Sequence, residues 1–285
     1  MARGDWTWIG ERQAPSLDVT PPFKPLWISA RTPISCERQQ VRAASSYLCY
    51  YGHGQVDVIA TFDLAILAAE AFERSDLERL NAGGTVTLGY VSLGQDASDC
   101  DAPWVRRNAA GGALEDDNWG TYLVNPAHPA WKQRCLSVIA ELLKKGYGGL
   151  FLDTLDSVRP EDQVALVALI GAVRDQYPDI PLVLNRGFAL LEPLGDRIDG
   201  VMFESLSCAW QLEDDGRVSY CAVNAESFYF NQQFAQRVSA TAKLHGLICL
   251  ALDYTDSPAL EAHARAVAKE LGYVAWCADR VLSRV

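Results

Sequence analysis

Twice in this chain a glycine opens a short apolar run that a carboxylate closes. The first is Gly148-Gly149-Leu150-Phe151-Leu152-Asp153, continuing as Thr154-Leu155-Asp156-Ser157, and the second, 51 residues later, is Gly200-Val201-Met202-Phe203-Glu204-Ser205. Glycine, several large apolar residues and then an acid is the pattern of a buried strand with a polar tip. In a parallel sheet covered by helices the strand tips open onto a cleft, so both acids are expected to face ligand rather than core. For one Asp alone, a helix cap or a solvated strand end is the commoner role. Repetition of the pattern argues for a paired site.

Alternating strands and helices surround these two runs. Residues 1–44, with Pro15, Pro21, Pro22, Pro25 and Pro33 and with Trp6, Trp8 and Trp27, show no periodicity and predict an extended arm. Strand patterns follow at Ser46–Tyr51, Asp63–Ala69, Thr85–Ser92, Gly148–Asp153, Pro181–Asn185, Ile198–Phe203, Leu247–Asp253 and Gly272–Cys277. Helical stripes lie between most of them: Ser75 to Gly83, Pro129–Lys145, Pro160–Tyr177, Glu226–Leu244 and Ala259–Leu271. Eight strands with intervening helices predict an α/β fold, a (β/α)8 barrel over 45–285 as one domain. An open doubly wound sheet is the competing topology, but no strand runs into GxGxxG or GxxxxGK[ST]. Gln95 to Val124, rich in Asp, Gly and Trp, is too long for an idle connection and is expected to line the cleft.

Charge narrows the partners. With 25 Lys+Arg against 36 Asp+Glu the net charge is −11, which disfavours nucleic acid or an anionic membrane and suits a neutral or cationic substrate. No apolar run is long enough to span a bilayer, and Met1 to Pro15 lacks the apolar core of a signal peptide. Oligomeric state leaves no trace in the chain. Of the eight cysteines, Cys49, Cys249 and Cys277 fall in apolar strands, whereas Cys36, Cys100, Cys208 and Cys221 fall in polar surroundings. Cys208 and Cys221 are the nearest pair for a loop disulfide. With no CxxC pair and only four histidines, no metal or other cofactor is expected.

Active sites of such barrels gather at the C-terminal strand ends. Those ends carry Tyr50 or Tyr51, Glu70, Tyr90, Asp153, Asn185, Glu204, and Asp253 with Tyr254. Glycoside cleavage uses two carboxyl groups on opposite sides of the scissile bond, one as acid and the other as nucleophile or base. Asp153 and Glu204, on alternate strands four and six, are the expected catalytic pair. Tyr50, Glu70, Tyr90, Asp156, Asn185, Asp253 and Tyr254 are the expected substrate contacts. Trp119, Trp210 and Trp276 are further stacking candidates, with core or surface roles equally open. Asp156 has three roles open to it: binding substrate, orienting Asp153, or capping the helix near Pro160.

Tyr90-Val91-Ser92-Leu93-Gly94, Gly149 to Asp156, Asn185-Arg186-Gly187, Gly200 to Leu206 and Asp253-Tyr254 occur in an order that resembles glycoside hydrolase family 114 over roughly 45–280. That family comprises endo-α-1,4-polygalactosaminidases and the hydrolase domain of Pel-polysaccharide enzymes. The resemblance implies a (β/α)8 barrel that cuts α-1,4-linked, partly deacetylated N-acetylgalactosamine polymers, with Asp153 as nucleophile, Glu204 as acid/base, and a secreted or periplasmic setting. Deacetylated galactosamine is cationic, in keeping with the acidic balance. One departure is that Gly94 is followed by Gln95-Asp96, where the family usually has Gly-Glu.

Two other readings compete. Gln95 motivates a carbohydrate-binding barrel that has lost catalysis. Glu70, Asp153, Asp156 and Asp253 could instead hold Mg²⁺ or Ca²⁺ in a metal-dependent hydrolase.

Overall fold

A computed structural model describes residues 34–285; positions 1–33 of the expected arm lie outside the described residues. Eight parallel strands follow one another around the sheet in sequence order. They are β1 (Tyr47–Tyr50), β2 (Leu64–Leu67), β3 (Val86–Ser92), β4 (Gly149–Asp153), β5 (Leu182–Asn185), β6 (Gly200–Glu204), β7 (Ile248–Tyr254) and β8 (Val274–Ala278). Seven ladders join neighbours. Side-chain and loop bonds bring β8 to β1: the Trp276 indole donates to the Cys49 carbonyl at 3.2 Å and the Tyr51 amide to the Leu282 carbonyl at 2.7 Å. The expected (β/α)8 barrel is what the chain forms.

Among the described residues eight α-helices accompany the strands: α1 (Cys36–Ala43), α2 (Val56–Ile59), α3 (Arg74–Ala82), α4 (Pro129–Lys145), α5 (Gln163–Gln176), α6 (Leu191–Leu194), α7 (Ala225–His245) and α8 (Pro258–Leu271). Their ends follow local chemistry. Asn224 and Ser257 cap α7 and α8 by accepting from Ser227 and Leu260 amides, and Gly146, Gly246 and Gly272 close α4, α7 and α8 in the left-handed region. Trp131, Cys135, Ile139 and Leu142 form the buried stripe of α4. The Pro160 segment, expected as the first helical turn, is a 3₁₀ turn at Pro160–Asp162 leading into α5.

Strand alternation sorts the barrel residues. On β4, Gly149, Phe151 and Asp153 share the inner face while Leu150 and Leu152 face the helices. Gly149 sits where the inner floor is tightest: a Cβ there would lie 2.6 Å from the Pro181 carbonyl oxygen and 2.8 Å from Leu88 Cδ2. The glycine that opens this run is therefore a packing requirement, not a turn.

One part of the expected arm is helical. Ser35 caps α1 by accepting from the Arg38 amide, and Val41 enters the core. A single buried apolar residue gives no stripe, which is why periodicity missed this helix. Charge holds it in place. Asp199, fully buried just before β6, accepts from Arg38 Nε at 2.9 Å, Arg42 Nε at 2.9 Å and Arg174 Nη2 at 2.9 Å. Spare guanidinium N–H groups donate to the carbonyls of Pro178, Ile180, Ile198 and His245, so α1 locks the N-terminal end of the barrel.

Two insertions stand at the opposite end. After β3, Gln95–Asp96, Glu115–Asp116 and Thr121–Leu123 form a small antiparallel sheet. After β6, Cys208–Leu212 pairs with Val218–Ala222 in a hairpin. The register sets Cys208 opposite Ala222 and Cys221 opposite Ala209. Adjacent cross-strand positions point to opposite faces, so the disulfide expected between Cys208 and Cys221 does not form, and both thiols are free.

Candidate active site

Asp153 and Glu204 meet through one nitrogen. Asn185, ending β5 between them, donates from Nδ2 to Asp153 Oδ1 at 2.7 Å and to Glu204 Oε2 at 2.6 Å. Both partners are acceptors, so the amide orientation is unambiguous. Its own oxygen is buried and has no partner among the described residues. Asn185 is only 5% exposed, and both carboxyl groups are half-buried.

Phenols complete the pocket. Tyr254 donates to Glu204 Oε1 at 2.6 Å, and the Tyr90 hydroxyl and the Thr154 amide stand close enough to Asp153 to favour its ionised form. Burial, reinforced by the neighbouring carboxylates, pushes both phenols well above their ordinary pKa, so they remain donors. Burial first and the Glu204 charge second raise the Asp153 carboxyl to about 6, against the opposing pull of Asn185, Thr154 and Tyr90. At neutral pH Asp153 is ionised.

The strand tips turn sharply. Thr154, Arg186 and Ser205 follow Asp153, Asn185 and Glu204 directly, and all three have positive φ, at 61°, 51° and 56°. Each such non-glycine residue costs of order 1 kcal/mol or more, a cost that concentrates at functional sites. Gly94 makes room for the first turn: a Cβ there would stand 2.1 Å from the Thr154 carbonyl oxygen, while its amide donates to Thr154 Oγ1 at 2.8 Å. Arg186 secures the other two, donating from Nε to Asp156 at 2.7 Å and from Nη1 to the Glu204 carbonyl at 2.9 Å.

Of the expected contacts, Tyr90, Asn185 and Tyr254 stand at the pair and four others do not. Tyr50 points outward, its hydroxyl donating to the His53 carbonyl and its ring packing on Phe72. Alternation puts Tyr47, Cys49 and Tyr51 on the inner face instead, and Tyr51 packs edge-on against Tyr90 at 5.5 Å. Glu70 lies three residues past β2 in an exposed turn. Asp253 is 1% exposed and anchors the loop after β6, accepting from the Ser207 and Cys208 amides at 2.7 Å each. Burial raises its pKa and those amides oppose the rise. Asp156 reaches the pair only through Arg186.

The four acids of the metal-site reading therefore face different ways; among the described residues the tight grouping of potential ligands is Asp99, Cys100 and Asp101, elsewhere on the surface. Trp276 closes the barrel and is core. Gln95 does not touch the carboxylates. It donates to Asp116 at 3.1 Å and Ser157 at 2.9 Å and accepts from Thr121 at 2.7 Å, bracing the β3 insertion against the loop after β4.

The sequence left Tyr50 and Tyr51 both open at the first strand end, and the roles of Arg186 and Thr154 were missed. A doubled tyrosine at a strand end cannot be assigned a face without the register, and positive φ at a non-glycine residue leaves no compositional mark. Arg186 did have a signal in the Asn185-Arg186-Gly187 run.

Comparison with known proteins fits this geometry. The glycoside hydrolase domain of PelA from Pseudomonas aeruginosa is 26% identical with a TM-score of 0.69, covering 85% of this chain and 98% of that one. Ega3 of Aspergillus fumigatus, solved in complex with galactosamine, shares the fold with a TM-score of 0.64 at 12% identity, covering 88% of this chain and 97% of that one. An uncharacterised protein of Methanocaldococcus jannaschii is 23% identical over 206 residues, 65% of this chain and 56% of its own length. The chain spans about half the length of the curated relatives it matches. A family model described as glycoside-hydrolase family GH114 matches residues 30–285, and the chain belongs to that family.

Proposed function

We propose that this protein is an endo-acting glycoside hydrolase that cleaves α-1,4-linked galactosamine/N-acetylgalactosamine polysaccharide with retention, using Asp153 as nucleophile and Glu204 as acid/base. The observation that carries the reading is the shared Asn185 nitrogen. Two carboxylate oxygens bonded to it at 2.7 and 2.6 Å lie closer together than those bonds laid end to end. This supports the about 5–5.5 Å spacing of retaining enzymes over the about 6.5–9.5 Å that leaves room for water in inverting ones. The substrate class is supported by family membership and by a structural neighbour bound to galactosamine.

In the first step Asp153 Oδ attacks the anomeric carbon while the Glu204 carboxylic acid gives its proton to the glycosidic oxygen. The glycosidic C–O bond breaks, a glycosyl ester to Asp153 forms, and the leaving chain departs as an alcohol. In the second step the Glu204 carboxylate takes a proton from water as that water attacks the same carbon. The ester breaks, Asp153 returns ionised and Glu204 returns protonated. Tyr90 and Asn185 hold Asp153 charged and aimed, and Tyr254 and Asn185 aim Glu204. Two carboxyl groups bonded to one nitrogen repel each other when both are ionised, which favours the singly protonated pair that the first step requires.

The test is hydrolysis of an α-1,4-galactosamine polymer by wild type, Asp153→Asn and Glu204→Gln, with the product anomer followed by NMR. Loss of activity in both variants with an initial α product supports the reading. Equal activity in all three removes the catalytic pair, and an initial β product removes the nucleophile role of Asp153.

A further inference from the structure

Three loops issue from the barrel end that carries the carboxylates and converge on Arg280, two residues past β8. Its guanidinium carbon lies 4.7 Å from the ring centroid of Trp119, from the β3 insertion, and 4.3 Å from that of Trp210, from the hairpin after β6. The two indoles meet edge to face at 5.7 Å. Arg280 Nη2 donates to the Asn118 carbonyl at 2.8 Å, and the Arg280 amide donates to the Tyr220 hydroxyl at 3.0 Å.

Trp119 is nonetheless 48% exposed. With the guanidinium against one face, the surface it shows to solvent is chiefly the other. Its position is fixed from below: the Trp119 and Gly120 amides donate to the Asp116 carbonyl, the Asn118 amide donates to Asp116 Oδ1, and Asp116 Oδ2 accepts from Gln95. Gln95 in turn holds Ser157, four residues past Asp153. A rigid, flat, half-exposed indole at the active-site rim, tied by hydrogen bonds to the nucleophile's loop, is suited to stack on a pyranose ring.

Charge selects among rings. Among the described residues Arg280 forms no ion pair: its side chain donates to a carbonyl and lies over two indole rings, which places a cation directly behind the platform. A protonated amino sugar is disfavoured there and a neutral ring is not. We propose that the free face of Trp119 is a sugar-stacking subsite away from the cleaved bond, selective through Arg280 for an N-acetylated hexosamine unit over a protonated one. The inference rests on the polysaccharide hydrolase reading above and adds which unit of a mixed polymer the rim accepts.

The test measures binding without turnover. In the full chain carrying Glu204→Gln, calorimetric titration with an α-1,4-linked N-acetylgalactosamine hexamer and with its fully deacetylated counterpart should give about threefold tighter binding of the acetylated chain. Adding Trp119→Ala should weaken acetylated-hexamer binding about tenfold, with Trp119→Phe restoring most of it. Arg280→Gln should erase the preference and Arg280→Lys retain it. Equal binding by the Trp119→Ala variant, no preference between hexamers, or no binding of either one overturns the subsite. Trp119-dependent binding in a protein whose wild type does not cleave the polymer would sink the hydrolase reading and leave the subsite standing. Cleavage with Trp119-independent binding would do the reverse.

Discussion

Asp153 and Glu204 accept hydrogen bonds from the same nitrogen of Asn185, although 32 and 19 residues respectively separate them from it in the chain. One amide thus sets both the spacing of the two carboxyl groups and their mutual electrostatics.

Asn185→Ala removes the donor that holds the Asp153 carboxyl down against burial and Glu204. The acidic limb of the kcat/KM profile is expected to move to higher pH than in wild type, and kcat to fall about 100-fold at neutral pH. A pH–rate profile of both proteins checks this. An unmoved limb would assign Asn185 to substrate contact alone.

Glu204→Gln should abolish turnover and stabilise the fold. The Asp153 carboxyl is raised from 3.8 to about 6 on folding, so the folded state holds its proton more tightly than the unfolded one. Below about pH 4 that costs nothing, and the cost grows as pH rises through 6 and is complete above it. Removing the Glu204 charge should return on the order of 1 kcal/mol at pH 8 and nothing at pH 4, read by urea unfolding at the two pH values.

Asp199→Ala leaves three guanidinium groups facing one another without their shared anion. A loss of about 3–5 kcal/mol in unfolding free energy is expected. Asp199→Asn, which keeps acceptor geometry but not charge, should lose less. Chemical denaturation ranks the two.

Ser205 offers a test of the turned strand tip. Its φ is 56°, where a β-branched residue is strongly disfavoured and glycine is at ease. Ser205→Val should cost about 1–2 kcal/mol and lower kcat by displacing Glu204, whereas Ser205→Gly should unfold within about 0.5 kcal/mol of wild type. Thermal unfolding and initial rates together separate strain from lost contacts.

Tyr50 and Tyr51 separate by face. Tyr51→Ala removes the ring packed on Tyr90 and is expected to lower kcat/KM at least about tenfold. Tyr50→Phe, losing only a bond to the His53 carbonyl on the outer face, should change kcat/KM less than about twofold.

What the sequence by itself determined is periodic and local. Apolar runs of strand length, helical stripes such as Trp131 to Leu142, and capping residues specify a strand–helix alternation with essentially one closed solution. The polar residue that ends each apolar run marks the strand tip, which is why Asp153, Asn185 and Glu204 were legible. Tertiary structure alone decided which side of each tip faces the pocket, because neighbouring residues on a strand point opposite ways and only the barrel's register says which way is in. That is how Tyr51 displaced Tyr50 and how Asp253 became a buried anchor for the loop after β6. It also decided the helix at Cys36–Ala43, which forms around three arginines gathered on Asp199 and not around an apolar stripe. Long-range charge pairing and the approach of distant loops, as of Trp119 to Arg280, leave no period along the chain, so folding itself had to bring them together.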